Sequence, residues 1–147
     1  MSRRWILGIA AAIALAVIIP IQVVIISNLM GYWRSQGIVI YLLRKSLIKT
    51  DGLDCSERFL ARDNSCSVPM TEAEARRLAA TAGLHEQAIT GTLGPQVADT
   101  LNVDAAHSGI HFFVSAAPFV LPSGKGRLED LSLYMGGTAG KAVLLFR

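Results

Sequence analysis

The sequence predicts an α+β protein: a single N-terminal transmembrane helix, a short stalk and a small domain that ends in an antiparallel β-meander. Three observations support this fold class, namely a long uncharged apolar run, one clearly capped helix, and three β-prone runs separated by glycine-rich turns. The predicted boundaries are 1–33 for the membrane anchor, 34–50 for an amphipathic juxtamembrane stalk and 51–147 for an extracytoplasmic domain. At 147 residues the chain is too short for a large multidomain enzyme.

The first predicted element is a membrane-spanning helix. No charged residue occurs between Arg4 and Arg34, and residues 5–30 are mostly Ile, Ala, Leu and Val. A helix over 5–30 rises roughly 39 Å at about 1.5 Å per residue, which exceeds the hydrocarbon core of about 30 Å. The run therefore predicts a single membrane span.

Aromatic residues mark both ends of this span. Trp5 lies at one end and Tyr32 with Trp33 at the other, where amphipathic rings favour the headgroup level, so we predict that all three contact the membrane interface. We expect a cytoplasmic N-terminus, because exporting a short tail with two arginines and a free amine is unfavourable. The opposite orientation is an alternative, since four basic residues follow the span.

A cleaved signal peptide is the main alternative to a permanent anchor. The basic start and the alanine-rich run are typical of signal peptides, and the triplet at 14–16 resembles a cleavage site. The apolar run continues to Ile26, however, so that cleavage would leave a hydrophobic N-terminus. The pattern favours an uncleaved signal anchor.

Small residues recur every four positions within the span. Gly8, Ala12 and Ala16 share one helix face, where small side chains let a second backbone approach closely. Gln22 is a polar residue near the interior that is better satisfied by a neighbouring helix than by lipid. The sequence predicts packing against other integral membrane proteins or copies of itself; alternatively, alanine is simply common in anchors.

The stalk is apolar but short. Residues 37–48, GIVIYLLRKSLI, are too few for a comfortable second span. As a helix they place Val39, Leu43 and Leu47 on one side and lysines roughly opposite, which predicts a segment lying at the membrane interface. A buried strand is the alternative over so short a run.

Cys55 and Cys66 are the only cysteines, and they enclose a polar, turn-prone stretch. An even count in a short exported domain predicts one disulfide, whose closure stabilises the fold by about 3 kcal/mol. Two reduced thiols in a cytosolic domain are the alternative. The spacing is wrong for a redox dithiol, and no second ligand pair suggests zinc.

The clearest helix of the domain is predicted at 71–83. Thr71 and Glu74 have capping-box spacing, and Gly83 suits a left-handed C-cap. Glu72 and Arg76 form an i,i+4 pair on the exposed face. Small and apolar residues are expected to face the fold: Ala75, Leu78, Ala79 and Ala82.

The last third of the domain predicts β-structure. After a short helix predicted at 96–101 behind Pro95, the runs IHFFVSAAPFVL, LEDLSLYM and KAVLLF read as an antiparallel meander. Pro118 places part of the first run at an edge or bulge. We expect the 71–83 helix to cover one face of this sheet.

Positive charge is concentrated at the N-terminus. Residues 1–50 carry six basic residues and no acid, whereas residues 51–147 carry eight basic and eleven acidic residues, a formal −3. Because the only segment long enough to fold as a globule is slightly acidic, it lacks a phosphate-neutralising face. A nucleic-acid-binding domain is therefore not expected.

Nucleotide binding is not expected either. The segment GGTAGKA at 136–142 has the glycines and lysine of a phosphate loop but not its spacing. Ala142 stands where a metal-binding hydroxyl is needed, and a strand rather than a helix follows. A hairpin turn is a sufficient explanation.

Metal and hydrolase chemistry are weakly indicated. Asp104, His107 and His111 could converge on a helix, but the β-prone sequence places the two histidines about 13 Å apart on a strand. Ser108 lacks a nucleophile elbow, and adjacent Glu129 and Asp130 read as a solvated pair. We predict no catalytic, cofactor-binding or metal-binding residue.

The sequence is consistent with two main functional classes and a third, weaker one. The preferred hypothesis is a noncatalytic accessory or structural subunit of a larger membrane complex, in contact with lipid and other proteins. The alternative is a pilin-like, self-assembling surface subunit, although the fifth residue after Gly8 is Ile13 rather than the glutamate of type IV pilins. A membrane-tethered enzyme using His85, Asp104, His107 or His111 is the third.

Overall fold

The computed structural model describes residues 3–56, 63–104 and 109–147. The chain divides into two compact units, Met1–Trp33 and Arg34–Arg147, and helix α1 contributes residues to both. The described residues form an α+β fold with three helices and antiparallel sheet, as predicted. The elements are α1 Arg3–Lys45, β1 Asp54–Ser56, β2 Asn64–Pro69, α2 Glu72–Ala82, β3 Leu84–Gln87, α3 Pro95–Leu101, β4 His111–Ser115, β5 Phe119–Val120, β6 Arg127–Leu128, β7 Leu131–Met135 and β8 Lys141–Phe146.

The first unit is helical and apolar. Every residue from Trp5 to Met30 is exposed, and the helix continues through Pro20. Within the described residues, α1 is the one helix long and apolar enough to cross a membrane by length and composition. Water is a poor solvent for so much apolar surface, so the helix is a candidate membrane anchor.

The second unit is built on a six-stranded sheet in which all neighbours are antiparallel. The strand order is β1-β2-β8-β7-β4-β3. β4, β7 and β8 are consecutive in this antiparallel sheet. They are not the simple three-strand meander that the sequence predicts, because β5 and β6 lie between β4 and β7 along the chain and form a second sheet. The sequence did not indicate β1, β2 and β3, because these short strands are polar and lack a clear apolar alternation.

The main core lies on one face of this sheet. Alternate residues of β7 and β8 point into it, and α2 covers it, as the 71–83 prediction required. Arg77 of α2 donates from Nε to the Ser46 carbonyl at 2.6 Å and so joins α2 to the turn that follows α1. The largest fully buried side chains include Leu78, Leu131, Leu133, Leu144 and Phe146.

The second half of α1 contributes to the same core. Ile38, Val39, Leu42 and Leu43 are each at most 3% exposed. The segment is helical to Lys45, not a strand, but it does not present Val39 and Leu43 to a membrane interface as we expected. An apolar helical stripe fits a protein core as well as lipid, and its sequence pattern does not distinguish the two.

Helix α2 follows its sequence signals closely. The Thr71 hydroxyl accepts from the Glu74 N–H at 3.3 Å, and the Glu74 carboxylate accepts from the Thr71 N–H at 2.8 Å. This capping box lowers the pKa of Glu74, first through the backbone hydrogen bond. Gly83 is left-handed, with φ 70°. The residues predicted to face inward are buried: Ala75, Leu78, Ala79 and Ala82.

Helix α3 packs on the opposite face of the sheet. Val97 and Leu101 form a second cluster with Val143 of β8. The β7–β8 turn approaches this helix at Gly137, where a Cβ would lie 2.2 Å from the Leu101 carbonyl oxygen. Only glycine fits there, so the turn residue is required by packing.

The chain leaves the sheet after Ser115. β5 and β6 form a separate two-stranded sheet, with Phe119 opposite Leu128. Pro118 lies between the two parts of the first β-prone run, of which β4 belongs to the main sheet and β5 to the second. Leu128 is fully buried in the main core, so this hairpin is anchored to the domain.

Candidate membrane-association site

The small residues of the first unit lie on an open face of the helix. Gly8 and Ala12 line a concavity of ≈ 410 Å³ together with Trp5 and Ile9. Beyond its own helical turn, no described heavy atom lies within 4 Å of the position that a Cβ on Gly8 would occupy. Ala16 is exposed one turn further along. The face has room for a second backbone, which is the geometry that close helix packing needs.

The predicted interface aromatics lie near the ends of the exposed run. Trp5 is 69% and Trp33 68% exposed, and Tyr32 is half-buried. Trp5 and Trp33 are 28 positions apart, which corresponds to roughly 42 Å along a helix at 1.5 Å per residue. That length matches a bilayer measured with its headgroups, about 40–45 Å.

The predicted disulfide is present in the second unit. Cys55 and Cys66 lie opposite each other in the β1–β2 pair, with an S–S distance of 2.02 Å. The adjacent pair Ser56 and Ser65 accepts hydrogen bonds from the Gln96 amide, which connects this hairpin to α3. A disulfide persists in an oxidising compartment, so the candidate membrane helix and this bond together fit a membrane protein with an extracytoplasmic domain.

The charged groups of α2, β3 and β4 form an exposed network. The Arg76 guanidinium lies 2.9 Å from Glu72 and 3.0 Å from Glu86, and His111 Nδ1 lies 2.6 Å from Glu86 Oε1. Pairing with His111, and then with Arg76, lowers the pKa of Glu86. Sequence reasoning found the Glu72–Arg76 pair but missed its distant partners, for which no local signal exists.

Among the described residues, the other metal-ligand candidates, His85 and Asp104, form no ion pair with this network. Asp104 lies in the loop after α3, beside Asn102 and Val103, and His107 lies outside the described residues. His85 is hydrogen-bonded to Gln87 at 3.0 Å. Within 3–56, 63–104 and 109–147, no group of three or more His, Cys, Asp or Glu side chains could hold a metal ion.

A hollow of ≈ 300 Å³ lies on the sheet, lined partly by Ser132, Tyr134 and Arg147. Burial, and then the charge of Asp63, raises the pKa of the Tyr134 hydroxyl.

The adjacent carboxylates Glu129 and Asp130 each have a cationic partner. Asp130 is exposed and paired with Arg147. Its neighbour Glu129 pairs with Arg127 at 2.8 Å. These two exposed carboxylates are therefore solvated, as predicted. Ser108, the other hydrolase candidate, falls outside the described residues.

The glycine-rich segment at 136–142 is a hairpin turn, as predicted. It joins β7 to β8, whose register pairs Met135 with Ala142. Gly136, Gly137 and Gly140 all have positive φ, a conformation that suits a tight turn.

Comparison with protein-family models, with curated proteins and with solved structures gives no match for this chain. A functional assignment therefore rests on the geometry and chemistry of the chain itself.

Proposed function

We propose that this protein is a noncatalytic, single-pass accessory or structural subunit of a larger membrane protein complex. One observation carries the proposal: the apolar helix from Trp5 to Met30 is wholly exposed and has an open face at Gly8 and Ala12. The helix packs within the membrane against other membrane proteins, and the second unit docks on a partner outside it.

The helix face favours a protein neighbour over lipid alone. Lipid tails solvate Ile, Leu and Val as well as another helix does, so apolar character by itself gives no association. The small residues Gly8 and Ala12 allow the backbone of a second helix to approach closely. Lipid chains fill the space beside these residues poorly. The exposed Gln22 amide adds a polar group that a neighbouring helix satisfies at lower cost than hydrocarbon.

The proposed orientation places the N-terminus in the cytoplasm and the second unit outside. The disulfide of Cys55 and Cys66 supports this, because thiols stay reduced in the cytosol. The short tail with Arg3 and Arg4 supports it as well, since it need not cross the membrane.

The noncatalytic assignment is supported by where the reactive side chains lie. His111 and its carboxylate neighbours form an exposed ion-pair network, and no histidine or cysteine is found among the described residues that line the hollow beside Tyr134. Solvated ion pairs are more typical of structural contacts than of tuned acid–base groups.

A self-assembling filament subunit is the second candidate, and one structural observation favours it. A single helix of 43 residues begins with an exposed apolar stretch. Its last turns belong to the core of the second unit, which contains the antiparallel sheet and the disulfide. This arrangement suits subunits that bundle their N-terminal helices. Ile13, however, stands where the type IV pilin pattern places a glutamate.

Gentle detergent extraction of the full-length protein followed by mass analysis tests these assignments. The subunit proposal expects one or more unlike membrane proteins in fixed ratio with this chain. A ladder of identical chains would instead support the filament candidate. A monomer under every extraction condition would overturn both.

A further inference from the structure

The part of α1 that belongs to the second unit has two faces of opposite character. Its buried face contains Ile38, Val39, Leu42 and Leu43. The exposed face carries residues spaced at 3, 4 or 7 positions, which share one side of a helix. We call this face the basic stripe; it consists of the exposed Arg34, Gly37, Arg44 and Lys45 and the half-buried Tyr41, which also packs against the core.

The charges of the basic stripe form no ion pair with the described part of the chain. Among the residues that the structure describes, no carboxylate lies within 4.0 Å of the charged groups of Arg34, Arg44 or Lys45. The ammonium group of Lys45 lies 5.9 Å from the centroid of the Tyr41 ring. Residues 1–50 contain no acid at all, although the rest of the chain is net acidic.

The stripe also has an apolar floor. A groove of ≈ 480 Å³ is lined by Gly37, Ile40 and Tyr41, and Arg44 and Lys45 complete its lining. Long cationic side chains beside an apolar floor can place their stems on hydrocarbon and their charges among phosphates. This combination suits an amphipathic ligand with an anionic head.

We infer that the basic stripe binds the headgroups of anionic phospholipids in the leaflet on the domain side of the membrane. The inference combines charge complementarity with covalent continuity, since Arg34 directly follows Tyr32 and Trp33 at the end of the uncharged apolar run. Basic residues next to a span are attracted to anionic headgroups over a distance of about 10 Å. An acidic protein is disfavoured as the occupant, because a stripe that begins at the membrane surface meets lipid first.

The inference rests on membrane insertion, which is part of the proposed function, so the experiment measures insertion separately. Full-length protein is reconstituted into phosphatidylcholine vesicles with and without phosphatidylglycerol, and flotation reports insertion. Spin-labelled phosphatidylglycerol and phosphatidylcholine then report the relative affinity of each lipid for the protein. The variants are Arg34→Gln, Arg44→Gln, Lys45→Gln and the triple substitution. Lys141→Gln on β8 is the matched control, since it also removes one cation.

The wild type should prefer phosphatidylglycerol, and each stripe substitution should lower that preference, by up to about fivefold per charge at low salt. The control should keep the wild-type preference, and added salt should weaken it in the wild type. No preference in the wild type, or an equal loss in the Lys141→Gln control, would overturn the inference while flotation still confirms insertion. Failure to float would overturn the inference and the membrane assignment together.

Discussion

Leu43 is fully buried, whereas Leu47, four residues further along, is 79% exposed. Between them the chain closes α1 with two hydrogen bonds: the Ile48 N–H donates to the Leu43 carbonyl at 2.9 Å, and the Leu47 N–H donates to the Arg44 carbonyl at 3.0 Å. This is the Schellman pattern, with Leu47 in the left-handed position at φ 57°. Ile48 packs in the same core as Leu43, which completes the hydrophobic contact of that motif.

The burial difference predicts unequal effects of truncation. Leu43→Ala should lower the free energy of unfolding of the second unit by about 2–5 kcal/mol, because it leaves a cavity in the core. Leu47→Ala is the matched control and should change it by less than about 0.5 kcal/mol. Chemical denaturation of the full-length protein in detergent, followed by circular dichroism, measures both. Equal effects would show that this segment is not part of the core.

Leu47 itself predicts a stabilising substitution. A left-handed residue with a Cβ is strained by about 1–2 kcal/mol, whereas glycine adopts this conformation freely. Leu47→Gly should therefore raise the free energy of unfolding by about 1 kcal/mol, since the leucine side chain buries little. Leu47→Ala keeps the strain and separates backbone relief from side-chain loss. A destabilised Leu47→Gly protein would contradict the left-handed assignment.

The small-residue face predicts a side-specific effect on assembly. Gly8→Leu and Ala12→Leu should each weaken the extracted complex roughly threefold to tenfold, because a bulky side chain separates the two backbones. Ala10→Leu makes the same change on the far side of the helix and should have no effect. Native mass analysis at a series of detergent concentrations gives the dissociation midpoints. Wild-type midpoints in both Gly8→Leu and Ala12→Leu would exclude this face from the interface.

The disulfide leads to two expectations, one about the compartment that holds the second unit and one about its free energy of unfolding. In protein taken directly from cells, Cys55 and Cys66 should resist alkylation until a reductant is added. The double substitution to serine should cost about 3 kcal/mol of unfolding free energy, the value for closing a loop of roughly this size. Denaturation of the oxidised protein, the reduced protein and the double variant measures this loss. The reduced protein and the double variant should have the same free energy of unfolding. Free thiols in freshly isolated protein would contradict the extracytoplasmic placement.

The Glu86 network predicts an acid-sensitive contribution to stability. Because His111 and Arg76 lower the pKa of Glu86 in the folded protein, its contribution is present above the ordinary value of 4.5 and is lost as pH falls through the lowered pKa. Glu86→Gln should thus be less stable than the wild type at pH 7, by a small amount because the site is exposed, and the difference should vanish in strong acid. Gln87→Ala on the same strand should not change this pH dependence. Urea titrations across the acid range test it, and a difference independent of pH would refute it.

Several features could be read from the sequence because their causes are local. The caps of α2 at Thr71, Glu74 and Gly83 involve atoms only a few residues apart, and a glycine-rich turn joins β7 to β8. The apolar run of the candidate span is likewise a matter of composition and length. In each case the hydrogen bonds or backbone angles concerned lie within one short stretch of chain.

Other features depended on contacts between distant residues, and only the tertiary structure decided them. Val39 and Leu43 carry an apolar pattern that suits lipid or protein equally, and the sheet beside them determines that they enter a core. β1 and β3 gain their extended form from the strands they pair with, and His111 meets Glu86 only because β3 and β4 are neighbours. Local chemistry determined which segments form helices and turns, whereas the destination of each apolar face and the choice of ion-pair partners followed from packing across the whole chain.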